Sequence, residues 1–273
     1  MRINQNVSAF NAYRNLNNTN MMMGKSLEKL SSGFRINRAA DDAAGLVRSE
    51  SLRSEINGSR QATRNAQDGI SFVQTTEGAL NEVHAILQRM RTLAVDAANT
   101  AVTDGTAQQQ EIDQLLQELD AIGARTTFAG NQVFQDYTTS GLTFHVGPNE
   151  TAANQLTLTD NLAMSSATVF GANVSGVDLA TAATTAISTL DAAIDSVSNT
   201  RSTLGATQNR LEHTIANLQV ATENLMASES RIRDTDMAQE MVQFTRNQIM
   251  TQAGTSMLAQ ANQAPQSVLS LLG

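Results

Sequence analysis

Apolar residues return every three or four positions, without a break, from Leu190 to Ile232. Leu190, Ile194, Val197, Leu204, Leu211, Ile215, Leu218, Leu225 and Ile232 hold most of the places, and Arg201, Gln208, Thr222 and Glu229 the rest. This spacing draws one narrow seam along a helix for about six heptads. A seam of that kind is stable only against a second seam, and the chain carries one upstream. Val73, Leu80, Leu87 and Ala94 recur at heptad spacing, with Thr76, Val83, Met90 and Ala97 between them. Asp41 or Asp42 suits the positive N-terminal end of this helix, because a carboxylate there accepts from unpaired backbone N–H groups. Its expected end is near Thr100, a span of roughly 90 Å at about 1.5 Å per residue. Gly45, Gly58, Gly69 and Gly78 interrupt it. Each weakens the helix by ~1 kcal/mol against Ala, so burial must hold it straight. Ile112, Leu115, Leu116, Leu119 and Ile122 mark a shorter helix between Gln108 and Gly123. The expected fold is mainly α: an elongated coiled-coil bundle in which distant helices share one core and the chain ends are paired.

The composition fits a thin bundle. Aromatic residues make up 4% of the 273 residues and Trp is absent, whereas Ala, Leu, Ile and Met are plentiful. Only Pro148 and Pro265 occur, so neither long periodic segment contains a helix breaker. A net charge of −8 argues against nucleic acid as a partner. The charge is uneven: Arg2, Arg14, Lys25, Lys29, Arg35 and Arg38 stand against Glu28 alone among residues 1–40. There is no cysteine, hence no disulfide or thiolate–metal framework. No apolar run reaches the ~20 residues of a membrane span, and MRINQNVSAFNAYRNLNN has no apolar core of the secretory kind. Neither membrane insertion nor a cleavable signal peptide is expected.

Both ends are rich in amides and thin in apolar residues. Ile3, Val7 and Phe10 are set among many Asn, and Met237, Met241, Phe244 and Leu258 among Gln, Thr, Asn and Ser, before a closing Val268, Leu269, Leu271 and Leu272. Such segments are expected to be disordered or nascent helices in a lone copy and to order when neighbours cover them. Residues 125–170 change character: TTFAGNQVF, LTFHVG and NQLTLTDN alternate around Gly130–Asn131, Gly141 and Gly147–Pro148–Asn149, which reads as a small β element. The Ala-, Thr- and Ser-rich run from Ala163 to Thr185 reads as a surface loop or the approach to the final helix. His84, His145 and His213 are scattered, and no phosphate loop or Ser/His/Asp arrangement stands out. Glu111, Asp113, Glu118 and Asp120 read as an outward charged face. No active site, metal or cofactor is expected.

The runs MRINQNVSAFNAYRNLNN, EKLSSGFRINRAADDAAGL, NAQDGISFVQTTEGALNEVHAILQRMRTLA, LGATQNRLEHTIANL, ASESRIRDTDMAQEM and QAGTSMLAQANQAPQSVLSLLG closely resemble bacterial flagellin, in family order from one end of the chain to the other. The resemblance implies a structural subunit that polymerises with itself into the extracellular filament used for motility. It implies a terminal coiled-coil domain of residues 1–42 and 232–273, a rod-like domain of 43–231 with its β element at about 125–170, and no large outer domain. Ile3, Val7, Phe10, Met237, Met241, Phe244, Leu258, Val268, Leu269, Leu271 and Leu272 would pack between subunits. Val73, Leu80, Leu87, Leu204, Leu211, Ile215, Leu218 and Leu225 would form the seam within one subunit. Further implied partners are the flagellar export apparatus, an export chaperone, the junction proteins and the filament cap. Arg89, Leu93 and Glu111 match positions where flagellin meets an animal Toll-like receptor, with Thr92 where many relatives carry Glu. Hook–filament junction proteins share part of the N-terminal pattern and form the alternative. A dimeric helical enzyme, from another class, would need a pocket that the sequence does not offer.

Overall fold

The computed structural model describes residues 6–99, 105–139, 141–160, 162–164, 168–170, 172–174 and 179–272, without the side chains of 173, 179–181 and 264–272. In chain order the elements are α1 (Val7–Ser32), α2 (Ala43–Ala97), α3 (Thr106–Arg125), β1 (Thr127–Phe128), β2 (Asn131–Gln132), β3 (Leu142–His145), β4 (Gln155–Leu158), β5 (Thr168–Val169), β6 (Ala172–Asn173), α4 (Leu179–Arg233) and α5 (Met237–Leu272). The fold is mainly α, with three small antiparallel strand pairs among the described residues. The chain forms two compact units, one of Met1–Ser54 with Asn224–Gly273 and one of Glu55–Glu223. These divisions fall inside α2 and α4.

In the second unit the expected seams meet. Val73, Leu80, Val83, Leu87, Met90 and Ala94 from α2 share one core with Leu190, Ala193, Val197 and Leu204 from α4 and with Ile112 and Leu119 from α3. Leu211 joins Ala66, Val146 and Leu156 in a second cluster, with Ile215 half-buried against it. Polar seam positions find partners close by. Buried Thr76 donates to Phe72 O at 2.7 Å and Thr222 to Leu218 O at 2.6 Å, each within its own helix. Gln208 donates to Glu212 at 2.9 Å. Arg201 pairs with Glu77 at 3.5 Å while its Nε stays buried without a hydrogen bond. The seam thus continues through polar residues without stranding most of their donors in an apolar core.

The β element lies on α2. In the β3–β4 hairpin Leu142 pairs with Leu158 and Phe144 with Leu156, so the alternation sends apolar side chains to one face and Thr143, Thr157, His145 and Gln155 to the other. Phe144 packs against Phe72, and Phe128 meets Phe72 edge-on at 5.8 Å. Ala129 and Gly130 both have positive φ, the two-residue turn that joins β1 to β2. Two glycines of α2 prove to be seats for the β3–β4 hairpin. A Cβ on Gly58 would lie 2.9 Å from Pro148 Cβ, and one on Gly69 3.1 Å from Phe144 Cδ1. Burial supports this stretch of the helix, as composition required, and the missing side chains admit the β element.

Of the two readings of the run from Ala163 to Thr185, the approach to the final helix agrees with the structure and the surface loop does not. The run holds the β5–β6 hairpin and the start of α4, which kinks at Ala182, and its Met164, Val169, Phe170 and Val174 enter the main core. Phe170 stacks on Phe134 at 6.0 Å, and Ser196 donates to its carbonyl at 2.9 Å. Strands of two residues leave no periodic signature, which is why the run reads as featureless.

Candidate assembly interface

The first unit is built around two breaks in the chain. Gly33 ends α1 with φ 75°, a left-handed conformation that glycine adopts without penalty, and its N–H donates to Lys29 O at 2.8 Å. Asp41 then closes the turn by accepting from Arg38 N at 3.0 Å and Asn37 N at 3.3 Å. Those bonds hold its carboxyl below the ordinary carboxylate range, Arg38 contributing most. Asp42 caps α2, accepting from Gly45 N at 2.9 Å. Both carboxylates of the Asp41–Asp42 pair are therefore used, for different tasks. Asp236 caps α5 in the same way, accepting from Ala238 N at 2.9 Å and Gln239 N at 3.1 Å.

The two breaks lie side by side. Phe34 bridges to Asp234, Arg35 N donates to Arg233 O at 2.6 Å, and Thr235 N donates to Gly33 O at 2.9 Å. The Arg233 guanidinium sits 4.8 Å above the Phe34 ring and pairs with Glu50 at 2.8 Å. Glu229, a polar seam position, pairs with Arg53 at 3.1 Å.

From these breaks α1 and α5 leave as an antiparallel pair. Asn6 Nδ2 donates to Ala261 O at 2.7 Å near one end, Thr251 Oγ1 lies 3.5 Å from Asn20 Oδ1 midway, and Lys29 is 3.9 Å from Glu240 at the other. The less exposed positions of α1 are Ala9, Ala12, Leu16, Thr19, Met23, Ser26 and Leu30, joined in its last turn by Glu28 and Lys29; those of α5 are Glu240, Phe244, Asn247, Thr251, Gly254, Leu258 and Ala261. Both sets follow heptad spacing, so they form the facing seams. They are mostly small or polar, and Ser26 alone among them is buried. A Cβ on Gly254 would lie 3.2 Å from Leu16 Cδ1, so the helices approach closely there.

Most of the larger apolar side chains face the other way. Phe10 is 72% exposed and Val242 68%, and Val7, Tyr13, Met21, Met22, Leu27, Met237, Met241, Ile249, Met250 and Met257 are also exposed. Met241, Val242, Ile249 and Met250 line an open groove of about 500 Å³ with Thr245 and Arg246. Apolar exposure of this density marks an interaction surface.

The expected packing residues divide on this geometry. Val7, Phe10, Met237 and Met241 face outward, while Phe244 and Leu258 sit half-buried in the seam with α1. Ile3 lies outside the described residues, and Val268, Leu269, Leu271 and Leu272 lie where side chains are not described. Tyr13, Val242 and Ile249 were legible only by following a second face of each helix. Of the intramolecular seam, Val73, Leu80, Leu87, Leu204, Leu211 and Leu218 are buried, and Ile215 and Leu225 half-buried. Arg89 and Glu111 pair with each other at 2.7 Å on the α2–α3 surface, which keeps the Arg89 guanidinium firmly protonated. Leu93 is 7% exposed and belongs to the core. Among the described residues no helix is long and apolar enough to cross a membrane.

The comparisons with known proteins agree on one family. Residues 3–139 match the family model for the bacterial flagellin N-terminal helical region, and residues 187–272 match that for the C-terminal helical region. The chain is 50% identical over 275 residues to a flagellin of Halalkalibacterium halodurans and 47% identical over 286 residues to a flagellin of Treponema pallidum, with 100% of both chains covered in each case. The crystal structure of Bacillus cereus flagellin is 30% identical with a TM-score of 0.44, covering 57% of this chain and 88% of that one.

Proposed function

This chain belongs to the bacterial flagellin family, and from that premise we propose how its end helices build a polymer. It is a structural subunit, not an enzyme, that polymerises with itself into the extracellular flagellar filament, and it has no large outer domain. The reading rests on one observation: α1 and α5 join through a seam in which small and polar residues outnumber the large apolar Leu16, Met23, Leu30, Phe244 and Leu258, and they turn most of their large apolar residues outward. A seam of that kind stabilises the pair weakly. Ordering costs about 1 kcal/mol or more per residue of backbone, which the seam alone does not offset. Each outward Phe, Val, Ile or Met contributes ~1.5–3 kcal/mol once fully covered. The ends of a lone copy therefore remain disordered or nascent, and become helices when adjacent copies cover them.

The lack of cysteine, and ends too polar to collapse alone, support export of the unfolded chain by the flagellar export apparatus. An export chaperone would act before passage, with junction proteins and the filament cap bounding the polymer. Similarity to flagellins over the whole of both chains favours the filament subunit over a hook–filament junction protein.

Phe10→Asp and Val242→Asp test the interface, because both side chains are exposed in one copy and their loss removes little internal packing. Each variant is expected to stay monomeric under conditions that polymerise the parent, by electron microscopy and sedimentation. Normal filaments from both variants would overturn the reading.

The exposed Arg89–Glu111 pair favours a second, compatible reading, in which this surface also meets an animal Toll-like receptor. Leu93 would then act through packing under the surface. Arg89→Ala should weaken signalling in receptor-expressing cells without altering thermal stability. Unchanged signalling would dismiss this role.

A further inference from the structure

Eleven methionines occur in a chain with no cysteine, so thioether sulfur is its one readily oxidised side-chain atom. Their distribution is uneven. Met90 and Met164 are buried in the second unit, whereas Met21, Met22, Met237, Met241, Met250 and Met257 are exposed on α1 and α5. Met241 and Met250 line the apolar groove, and Met250 and Met257 also line a second groove against Leu16 on α1. Unbranched thioether side chains adapt their shape to a partner, which suits a surface that must pack against several neighbours. The same sulfurs are open to solvent until a neighbour arrives.

We propose that the methionines of α1 and α5 form an oxidation site through which hydroperoxides disarm unassembled copies, while copies already in the polymer are shielded. The inference rests on the reading of this face as the assembly surface. In the reaction the sulfur lone pair attacks one oxygen of hydrogen peroxide and the O–O bond breaks. The S–O bond forms, and the departing hydroxide takes the remaining proton and leaves as water. Sulfur loses two electrons and the peroxide gains them. The product sulfoxide is polar and accepts hydrogen bonds, whereas the Met, Val and Ile side chains of the groove offer none and Thr245 Oγ1 already donates to Met241 O, which leaves the Arg246 guanidinium as the donor on this lining. Covering the face in the polymer removes water from several sulfoxides and leaves those beyond the reach of Arg246 unsatisfied, so the modified face resists burial.

Dilute hydrogen peroxide applied to the full-length soluble protein provides the test. Peptide mass mapping is expected to find one added oxygen on each of the six exposed methionines of α1 and α5 and none on Met90 or Met164. The critical concentration for polymerisation should rise about tenfold or more, equivalent to ~1.4 kcal/mol or more per subunit added. Two methionine sulfoxide reductases, one for each sulfur epimer, should restore assembly. Preformed filaments given the same dose should keep most of their thioethers. A variant with Leu at all six positions should polymerise equally well before and after peroxide, since Met-to-Leu exchange conserves volume. If that variant does not assemble, reductase rescue of the parent decides. Unchanged polymerisation of the oxidised parent overturns the proposal, as does a loss that the reductases cannot reverse. The underlying reading fails separately, if Phe10→Asp and Val242→Asp still form filaments.

Discussion

The same substitution at two glycines of α2 should stabilise the protein at one and not at the other. Gly78 faces open space, with nothing within 4 Å of where an alanine methyl would stand, so Gly78→Ala gains helix propensity and nothing else. That gain is about 1 kcal/mol, which in a unit of this size raises the thermal midpoint by about 2–4 °C. Gly58 has the same propensity to gain, but a Cβ there would lie 2.9 Å from Pro148 Cβ, 3.0 Å from its Cα and 3.4 Å from its carbonyl oxygen. Pro148 cannot yield by turning a side chain. Its turn is fastened by Asn154 Nδ2 donating to Asn149 O at 2.8 Å, and the adjoining strand by Asn65 Nδ2 donating to His145 O at 3.0 Å. Overpacking against backbone costs ~1–3 kcal/mol, which leaves Gly58→Ala neutral to about 2 kcal/mol less stable after the propensity gain. Thermal unfolding of both variants followed by far-UV circular dichroism measures the difference. Equal upward shifts would show that the hairpin does not rest on α2 at Gly58, and the role given to that glycine would be wrong.

Two further outcomes are expected. Asp236→Ala removes both side-chain hydrogen bonds at the start of α5 and should cost about 1 kcal/mol of helix stability, visible as a raised critical concentration; an unaltered value would mean that the cap is not formed in the polymer. Asp41 has a native pKa below the unfolded value of ~3.9. Its contribution is therefore complete above that value and fades as pH falls through the lower folded pKa. Proton titration by nuclear magnetic resonance should place its midpoint below that of an unstructured Asp, and Asp41→Asn should abolish this part of the acid dependence. A midpoint at or above the ordinary value would contradict the turn geometry.

Helices with one apolar stripe were legible from residue spacing alone. The stripe from Val73 to Ala97 lies in α2, which runs Ala43–Ala97 where Asp41 or Asp42 to Thr100 was expected, and the helix read as Gln108–Gly123 is Thr106–Arg125. Spacing did not reveal the use of Gly58 and Gly69, because a seat for another element is recorded in what is absent from a position, and only the neighbour shows why. The β5–β6 hairpin escaped for want of length. Leu93 reads as a surface residue when matched by motif, but it falls at a buried turn of α2, three residues after Met90. On α1 and α5 the sequence carries two superposed patterns, a small and polar seam and a bulky apolar face. Following Val7 and Phe10 picked out the second and passed over the first.

The neighbouring breaks at Gly33–Arg35 and Arg233–Thr235 have a bearing on synthesis. Each supplies hydrogen-bond partners to backbone groups of the other, and the later one leaves the ribosome some two hundred residues after the first. Until Arg233 and Thr235 have been added, the earlier break has no mate on its own polypeptide with which to close that junction. A fragment released before that point lacks it permanently.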